Sequence, residues 1–304
     1  MSINEIHVRA PAKINLALEV TGRRRDGFHE IDTVMTTVSL FDYISIESSE
    51  KLSINFIGPY SQGIDPSNDL AGRAAIELAK TIGREPNVTI TIEKQIPSSA
   101  GLGGGSSDAA AVLRGLNEFW NLNQELKDLE KIASKIGSDV SFFLYGGTAR
   151  CTGRGEIIHP LKDLSKLRAL ILLPEVSKIQ NKTATLYSQI HSNNFSDGNH
   201  SKRIAHRIDR KLPPPTADMV NVFETVIKNH YSELIEYYAL LRSKGAPVLH
   251  LCGSGPAVYL WIHQNAKVEE LMFDFKQAGA SVFEVFTTNR QDAVAMKTCN
   301  NDVF

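Results

Sequence analysis

Residues 97–113 read PSSAGLGGGSSDAAAVL, in which four glycines and four serines stand directly before an alanine-rich apolar stretch. Each ordered glycine costs about 1 kcal/mol relative to alanine, so a glycine run of this density needs a compensating reason. A bare backbone at the start of a helix offers unpaired N–H donors together with the positive end of the helix dipole. The stretch therefore predicts a phosphate-binding loop that leads into a helix.

The patterns on both sides of this loop agree with that position. Before it, residues 87–96 alternate as a strand does, with Val88, Ile90 and Ile92 on one face. After it, apolar residues recur at helical spacing up to Trp120. The expected caps of this helix are Ser106, Ser107 or Asp108.

Other interpretations of the loop fit its spacing less well. A Walker A loop needs Gly-Lys-Ser/Thr after its spacer, but Ser106 follows Gly101 at that distance and no lysine comes next. A dinucleotide fingerprint needs a third glycine where Ser106 stands, and its strand should be fully buried rather than alternating. A simple connecting turn rarely contains so many glycines with hydroxyls on both sides. Phosphate binding is the favoured interpretation.

The bulk composition excludes several classes of protein. A net charge of -1 predicts no general attraction to nucleic acid or to an anionic membrane. Cys151, Cys252 and Cys299 are too few and too scattered for a disulfide framework, which favours a reducing, cytoplasmic location. The first residues lack the pattern of a signal peptide, and no apolar run is long enough to span a bilayer. We therefore expect a cytoplasmic protein with small-molecule partners, and neither nucleic acid nor membrane among them.

The length of 304 residues predicts two domains of about 150 residues each. Strand patterns dominate the first part, and residues 68–83 predict a helix that Asn68 or Asp69 caps and Gly83 ends. A new apolar strand begins at residue 167, so the predicted domains are residues 1–160 and an α/β unit of residues 161–304. Residues 190–215 are polar and basic and end in three prolines, which predicts a solvated excursion rather than core.

Three stretches of the chain carry a resemblance when they are taken together: PAKINLALEV at 11–20, PSSAGLGGGSSDAA at 97–110 and LCGSGPAVYL at 251–260. In this order they resemble the motifs of the small-molecule kinases named after galactokinase, homoserine kinase, mevalonate kinase and phosphomevalonate kinase. Within that superfamily, residues 23–46 and 137–156 are similar to segments of the 4-diphosphocytidyl-2-C-methyl-D-erythritol kinase family, which acts in the non-mevalonate isoprenoid pathway. The resemblance covers most of the chain and weakens over 190–215 and the last thirty residues.

The resemblance implies an α+β, two-domain kinase fold with the active site in the cleft between the domains. It implies transfer of the γ-phosphate of ATP, with Mg²⁺, directly to the 2-hydroxyl of the cytidine diphosphate ester of methylerythritol. Asp139 would be the general base, and Lys13 would be the cation that stabilises the developing charge. Without the resemblance, Asp139 fits a helix cap and Lys13 fits an edge lysine with its ammonium in water.

The resemblance also implies which residues contact the substrates. Phe28 would stack on the cytosine and His29 would bind its edge, although the family often has tyrosine in place of Phe28 and this chain lacks that hydroxyl. Tyr187 is the expected second aromatic wall. The remaining expected substrate contacts are Asn15, which shares a strand face with Lys13, and Gly253, Ser254 and Gly255. The expected ATP contacts are Pro97, Ser98, Ser99, Ala100, Gly101, Leu102, Gly103, Gly104, Gly105, Ser106, Ser107, Asp69 and Lys94.

Several alternatives stay open at this point. Asp69 and Lys94 also fit exposed charges on a helix and a strand, and no carboxylate pair in the sequence indicates the protein ligands of the metal. A related kinase of mevalonate or homoserine is possible, but the GFHEID segment at 27–32 would then have no task. Two rivals of other classes are a nucleotide-binding protein without catalysis and a protein that holds RNA. The basic residues of the second would be Arg203, Arg207, Arg210 and Lys211.

Overall fold

The computed structural model describes residues 4–164, 166–176, 179, 181–243, 248–263 and 267–299. Its strands are β1 (Glu5–Arg23), β2 (His29–Ser48), β3 (Ser53–Ile57), β4 (Val88–Glu93), β5 (Thr148–Gly153), β6 (Ile157–Pro160), β7 (Arg168–Leu173), β8 (His250–Leu251), β9 (Val258–Trp261), β10 (Ser281–Phe286) and β11 (Met296–Cys299). Its α-helices are α1 (Leu70–Thr81), α2 (Gly104–Phe119), α3 (Leu126–Ile136), α4 (Val140–Tyr145), α5 (Lys182–Ser188), α6 (Asn199–Asp209), α7 (Glu233–Ser243), α8 (Val268–Gln277) and α9 (Arg290–Ala293).

A long antiparallel hairpin of β1 and β2 is the centre of the first sheet. The sheet runs in the order β11-β1-β2-β4-β3, and β5 pairs with the other end of β2 and carries β6. The β3–β4 pair is parallel, whereas β1 and β2 pair in antiparallel fashion with all their partners. Irregularities in the β1–β2 register at Pro11/Ala12 and Asn15/Ala17 lie on either side of Lys13. Such bulges bend a strand, and this one carries side chains of the candidate site.

Helices α1 to α4 cover one face of this sheet and share its core. The predicted helix at 68–83 is confirmed as α1: Asp69 caps it through the backbone N–H groups of Ala71 and Gly72, and Gly83 follows with a φ of +68°. The predicted caps of the next helix are wrong. It begins at Gly104 inside the glycine run, after Gly103 in the left-handed region, and no side chain caps it.

The second sheet is antiparallel, in the order β10-β7-β9-β8. It shares an apolar cluster with the first sheet, to which β1 contributes Ile14 and Leu16 and the second sheet contributes Ile171 and Tyr259. The Tyr259 hydroxyl donates a hydrogen bond of 2.9 Å to the backbone carbonyl of Asn15. The two sheets therefore meet at the strand that carries Lys13 and Asn15. In the described part of the chain, no helix combines the length and the apolar character needed to cross a membrane.

The expectation for residues 190–215 needs a correction. This segment contains α6, whose side chains Ser201, Ile204 and Ile208 are fully or almost fully buried against the other elements. The Ser201 N–H donates to Glu19 at 2.7 Å, which fixes the helix to β1. The segment as a whole has a low mean hydropathy, so the few apolar positions on one face of α6 do not stand out in the sequence. Those positions belong to the core.

Candidate active site

Two adjoining cavities lie where the two sheets meet. The larger has a volume of about 1080 Å³ and the smaller about 450 Å³, and Ser99, Gly101, Gly103, Ser106 and Thr183 line both. The larger cavity is also lined by Lys13, Asn15, Phe28, His29, Asp139, Tyr187, Gly253 and Ser254. The smaller is also lined by Asp69, Lys94, Pro97, Ser98, Ala100, Gly104 and Gly105. Most of the residues expected to contact the two substrates thus face one continuous space.

The phosphate loop, residues 97–107, presents the open end of α2 to the smaller cavity. The first N–H groups of an α-helix have no acceptor within the helix, and no side chain caps α2. Added to the helix dipole, these donors favour an anion at this point. Ser106 lies in the first turn and lines both cavities. Leu102 and Ser107 are buried and, in the described structure, line neither cavity, so the loop offers fewer contacts than its sequence implies.

The C-terminal glycine loop, residues 252–256, packs directly against the phosphate loop. Gly101 has a φ of +88°, and a Cβ on it would overlap the carbonyl oxygen of Cys252. The Ala257 N–H donates to the Ala100 carbonyl at 3.1 Å, which links the two loops. Gly101 is therefore required by the close approach of two backbone segments as well as by its own conformation. Gly255 lies behind this contact and lines neither cavity among the described residues.

Lys13, Asn15 and Asp139 come together on the wall of the larger cavity. Lys13 is 4% exposed, and its Nζ donates to Asn15 Oδ1 at 2.7 Å and lies 3.9 Å from Asp139 Oδ2. The prediction that Lys13 and Asn15 share a strand face is confirmed by that hydrogen bond. Asn15 Oδ1 also accepts the N–H of Gly253, and its amide donates to Thr33, so Asn15 holds the Lys13 ammonium to the C-terminal glycine loop.

Asp139 occupies the N-cap position of α4 but does not act as a cap. Its side chain makes no capping hydrogen bond to the helix, although a carboxylate at this position usually does so. The carboxylate instead lies in the cavity, with a side chain that is 35% exposed and with Lys13 as its ion-pair partner. Of the two interpretations of Asp139 open from sequence, the cap is thus wrong in this structure. Its catalytic role stays a prediction.

Aromatic side chains form the far end of the larger cavity. Tyr187 stacks on His29 with ring centroids 5.1 Å apart and an interplanar angle of 18°, and its edge meets Phe223. Phe28 is 52% exposed, and the Arg154 guanidinium lies 4.9 Å above its ring. Burial lowers the pKa of His29, so the ring is neutral near pH 7, and its buried Nε2 has no hydrogen-bond partner in the described structure. The rings of Phe28, His29 and Tyr187 therefore line this end of the cavity, with the unpartnered Nε2 buried in the described structure.

The charges of the smaller cavity are more constrained than the sequence suggests. Lys94 is buried rather than exposed, and its ammonium binds Asp42 and, at 2.5 Å, Asp108. Burial opposes its charge, but the two carboxylates prevail and raise the pKa of Lys94 above its ordinary value. Because Asp108 belongs to α2, this cluster braces the phosphate loop. Asp69 uses Oδ1 to cap α1, whereas its buried Oδ2 has no partner in the described residues.

Sequence reasoning missed several residues of the cleft, among them Arg154, Lys182 and Thr183. Arg154 stands in the GRGE segment, which carries part of the resemblance, but nothing in its spacing assigns it a contact. Lys182 and Thr183 precede Tyr187 in a stretch where the resemblance is loose. Thr183 lies 3.3 Å from the Ser254 hydroxyl, and the Lys182 ammonium binds backbone carbonyls of both glycine-containing loops. Only the tertiary structure brings α5 to this point.

Comparisons with known proteins agree with this geometry. Residues 69–147 match the family model described as the GHMP kinases N terminal domain, which spans α1, the phosphate loop and Asp139. A 4-diphosphocytidyl-2-C-methyl-D-erythritol kinase of Dehalococcoides mccartyi is 35% identical over 93% of this chain and 98% of its own length. A crystal structure of 4-(cytidine 5'-diphospho)-2C-methyl-D-erythritol kinase aligns with a TM-score of 0.74 at 30% identity, over 93% of this chain and 100% of its own.

A homoserine kinase from Cytophaga hutchinsonii has a similar TM-score of 0.75 over 97% of this chain and 98% of its own, but only 17% identity. That likeness shows the fold alone, so the distinction between the two kinases rests on sequence identity. The expected kinase fold is confirmed by these neighbours together with the family model. The chain therefore belongs to the 4-diphosphocytidyl-2-C-methyl-D-erythritol kinase family of the GHMP kinases.

Proposed function

We propose that the cleft transfers the γ-phosphoryl group of ATP to the 2-hydroxyl of 4-diphosphocytidyl-2-C-methyl-D-erythritol. The chain is a small-molecule kinase of the family that carries this name, and the non-mevalonate isoprenoid pathway is its context. The observation that carries the proposal is the Lys13–Asp139 pair, 3.9 Å apart on the wall of a cavity that shares the phosphate loop with its neighbour. A carboxylate and an ammonium at this distance support a base and a stabilising cation beside the expected phosphate site.

The proposed transfer step needs a group that accepts a proton and a cation that stabilises the developing negative charge. The alcohol oxygen forms a bond to the γ-phosphorus while the bond from that phosphorus to the bridging oxygen breaks, and ADP leaves. Asp139 accepts the proton of the alcohol, since its carboxylate is not used to cap α4. Lys13, held by Asn15, stabilises the negative charge that develops on the attacking oxygen. No phosphorylated enzyme is needed.

The ATP phosphates are assigned to the smaller cavity and the cytidine compound to the larger one. The backbone N–H groups at the start of α2 support the first assignment. The rings of Phe28, His29 and Tyr187 support the second, because they line the larger cavity and a cytosine has faces that stack on such rings. Rearrangement of Arg154 away from Phe28 would free the ring face that it now covers.

Magnesium is expected with ATP, and the cleft offers oxygen donors of the kind that Mg²⁺ prefers. The Ser106 hydroxyl lines both cavities and would hold the ion together with the phosphates. When bound, the ion would neutralise phosphate charge. The proposed roles of Asp139 and Lys13 in the transfer step stay as described above.

The first test is an ADP-release assay with magnesium ATP, in which the cytidine compound and mevalonate are offered separately. We expect turnover on the cytidine compound and none on mevalonate, because Gly27, Phe28, His29 and Ile31 line the larger cavity and would have no partner in a substrate without a base. Preferential turnover on mevalonate would contradict the proposal. A fractionation assay of the native cells, with the activity expected in the cytoplasm, would check the proposed location.

A further inference from the structure

Lys182 is a buried lysine in the cleft that the phosphoryl-transfer scheme above does not use. It is 9% exposed and stands in the first turn of α5, on the wall of the larger cavity. Its Nζ donates at 2.7 Å to the carbonyl of Ser99 in the phosphate loop, and also to the carbonyl of Gly255 in the C-terminal glycine loop. One ammonium thus joins the two loops that face the expected nucleotide.

Among the described residues, no negative charge pairs with this ammonium. Its described partners are carbonyl oxygens, and no ion pair of Lys182 occurs among the described residues. Lys13 on β1 lies close enough to repel it, and the Asp139 carboxylate is the ion-pair partner of Lys13. The first turn of a helix also carries the positive end of the helix dipole, which disfavours a cation.

A buried cation without a counter-charge is costly, and the group lowers that cost either by losing its proton or by gaining an anion. Burial first, and then Lys13, lower the pKa of Lys182 to about 8. The other titratable group that faces it, the Cys252 thiol, is neutral because burial raises its pKa to about 12. Near pH 8, Lys182 is therefore only about half charged in the unliganded cleft.

We propose that Lys182 is a second phosphate-binding cation of this enzyme, whose missing counter-charge is supplied by the polyphosphate of ATP. The inference rests on the proposed function only in taking ATP as the occupant of the phosphate loop. Because the same ammonium binds both loops, nucleotide binding would also fix the C-terminal glycine loop against the phosphate loop. Lys182 itself lines the larger cavity, but its partner Ser99 lines both, so the ammonium lies at the border where the end of the polyphosphate would meet the alcohol. At that border Lys182 would act on ATP more than on the cytidine compound.

A purely structural role makes different predictions. A lysine that only joins two loops would stabilise the fold, would serve both substrates equally and would exchange no proton when nucleotide binds. A lysine that binds phosphate gains its full charge when the nucleotide arrives. At pH 8, a group with a pKa of about 8 would take up about half a proton per bound nucleotide.

The experiment measures that proton directly in the wild-type enzyme, by calorimetry of magnesium adenylyl imidodiphosphate binding at pH 8 in two buffers of different ionisation enthalpy. We expect uptake of about half a proton, none with adenosine, and none in Lys182→Arg, whose guanidinium stays charged throughout. Equal proton exchange in wild type and Lys182→Arg would overturn the proposal. The measurement needs no turnover, so a failure of the proposed alcohol substrate would leave it intact and would be seen separately.

The second part of the test measures the steady-state kinetics of Lys182→Met with each substrate. We expect the KM for ATP to rise about 10- to 100-fold, with a much smaller rise in the KM for the cytidine compound, and partial recovery in Lys182→Arg. Lys127→Met, an exposed lysine on α3, is the control and should change neither constant. Thermal unfolding identifies a variant that fails to fold, in which case the proton measurement on the wild type decides. An equal rise in both KM values would indicate the structural role and contradict the proposal.

Discussion

At the scale of single residues, Asp139 shows how a structure decides between two roles that the sequence leaves open. A carboxylate directly before a short helix is usually its cap, and local sequence contains no signal against that role. The structure leaves the carboxylate in the cavity 3.9 Å from the Lys13 ammonium, without a capping hydrogen bond. Its geometry is therefore that of a group available to substrate.

We predict that Asp139→Asn lowers kcat by about 10²- to 10⁴-fold, because the amide keeps the shape of the carboxylate but cannot accept the proton of the alcohol. Nucleotide affinity should change little, since the phosphates are assigned to the backbone of the other cavity. The measurement is the ADP-release rate, with nucleotide binding followed by calorimetry. Asp128→Asn, on the surface of α3, is the matched control. Near-full turnover of Asp139→Asn would remove the base from the mechanism.

The lysines mark the limit of residue-level prediction. Lys13 could be found because its segment resembles a known motif. The environments of Lys94 and Lys182 could not, because each depends on residues far away in the chain: Asp42 and Asp108 for the first, the two loops for the second. Whether a lysine is solvated, paired or uncompensated is a property of burial, which a local pattern does not encode.

At the scale of elements, the glycines of residues 101–105 serve two purposes: some are required by the fold of the loop, and one leaves space in the smaller cavity. Gly101 and Gly103 have φ values of +88° and +75°, and a Cβ on either would overlap a neighbour. Gly105 lies in the first turn of α2, where a Cβ would meet nothing nearer than Leu70 at 3.9 Å. The first two glycines are therefore required by the fold, whereas Gly105 leaves space in the smaller cavity.

We predict opposite outcomes for two alanine substitutions in this run. Gly101→Ala should lower the melting temperature, because it forces a left-handed conformation and a clash with the Cys252 carbonyl. Gly105→Ala should leave the melting temperature equal or higher, since alanine favours a helix by about 1 kcal/mol over glycine. Its KM for ATP should nevertheless rise about tenfold or more, as a methyl displaces a phosphate from its N–H donors. An unchanged KM would mean that the phosphates bind elsewhere.

The positions of helices and strands were predictable from the sequence where apolar residues recur at a regular spacing. They were not predictable where contacts with distant parts of the chain determine where an element begins or whether it is buried. The strand around Val88, Ile90 and Ile92 and the helix capped by Asp69 are both confirmed. The start of α2 was placed too late because Ser106 and Ser107 fit caps, whereas the loop contacts allow the glycines themselves to begin the helix. Helix α6 was missed because its packing on β1 outweighs its polar composition.

At the scale of the whole molecule, the cleft depends on contacts between segments that are distant in the chain. Strand β11, close to the end of the described residues, pairs with β1, and Thr288 hydrogen-bonds Thr37 on β2. The division at residue 160 stays a prediction, but no local pattern could have placed residues 296–299 in the first sheet. Pairing of this kind depends on which edges remain free when the rest of the chain has packed.

The stability of the whole molecule should depend on pH through two histidines, of which His250 is buried and His29 is half-buried. Burial lowers the pKa of His250, in the second sheet, to about 4, and burial also lowers the pKa of His29. Because the folded pKa lies below the unfolded value of about 6.5, the unfolded chain binds more protons, so stability is complete above pH 6.5 and falls as the pH drops towards 4. For His250 alone the loss is up to about 3 kcal/mol.

We therefore predict that the free energy of unfolding falls between pH 6.5 and 4, and that His250→Gln reduces the slope of this fall. Glutamine does not titrate, and its amide can keep the hydrogen bond that the imidazole makes to the backbone of Met219. His263→Gln, at an exposed position, is the control and should keep the slope of the wild type. Chemical denaturation across this range measures the effect. Parallel curves for wild type and His250→Gln would mean that the imidazole has the same pKa in the folded and the unfolded chain, which would contradict the prediction.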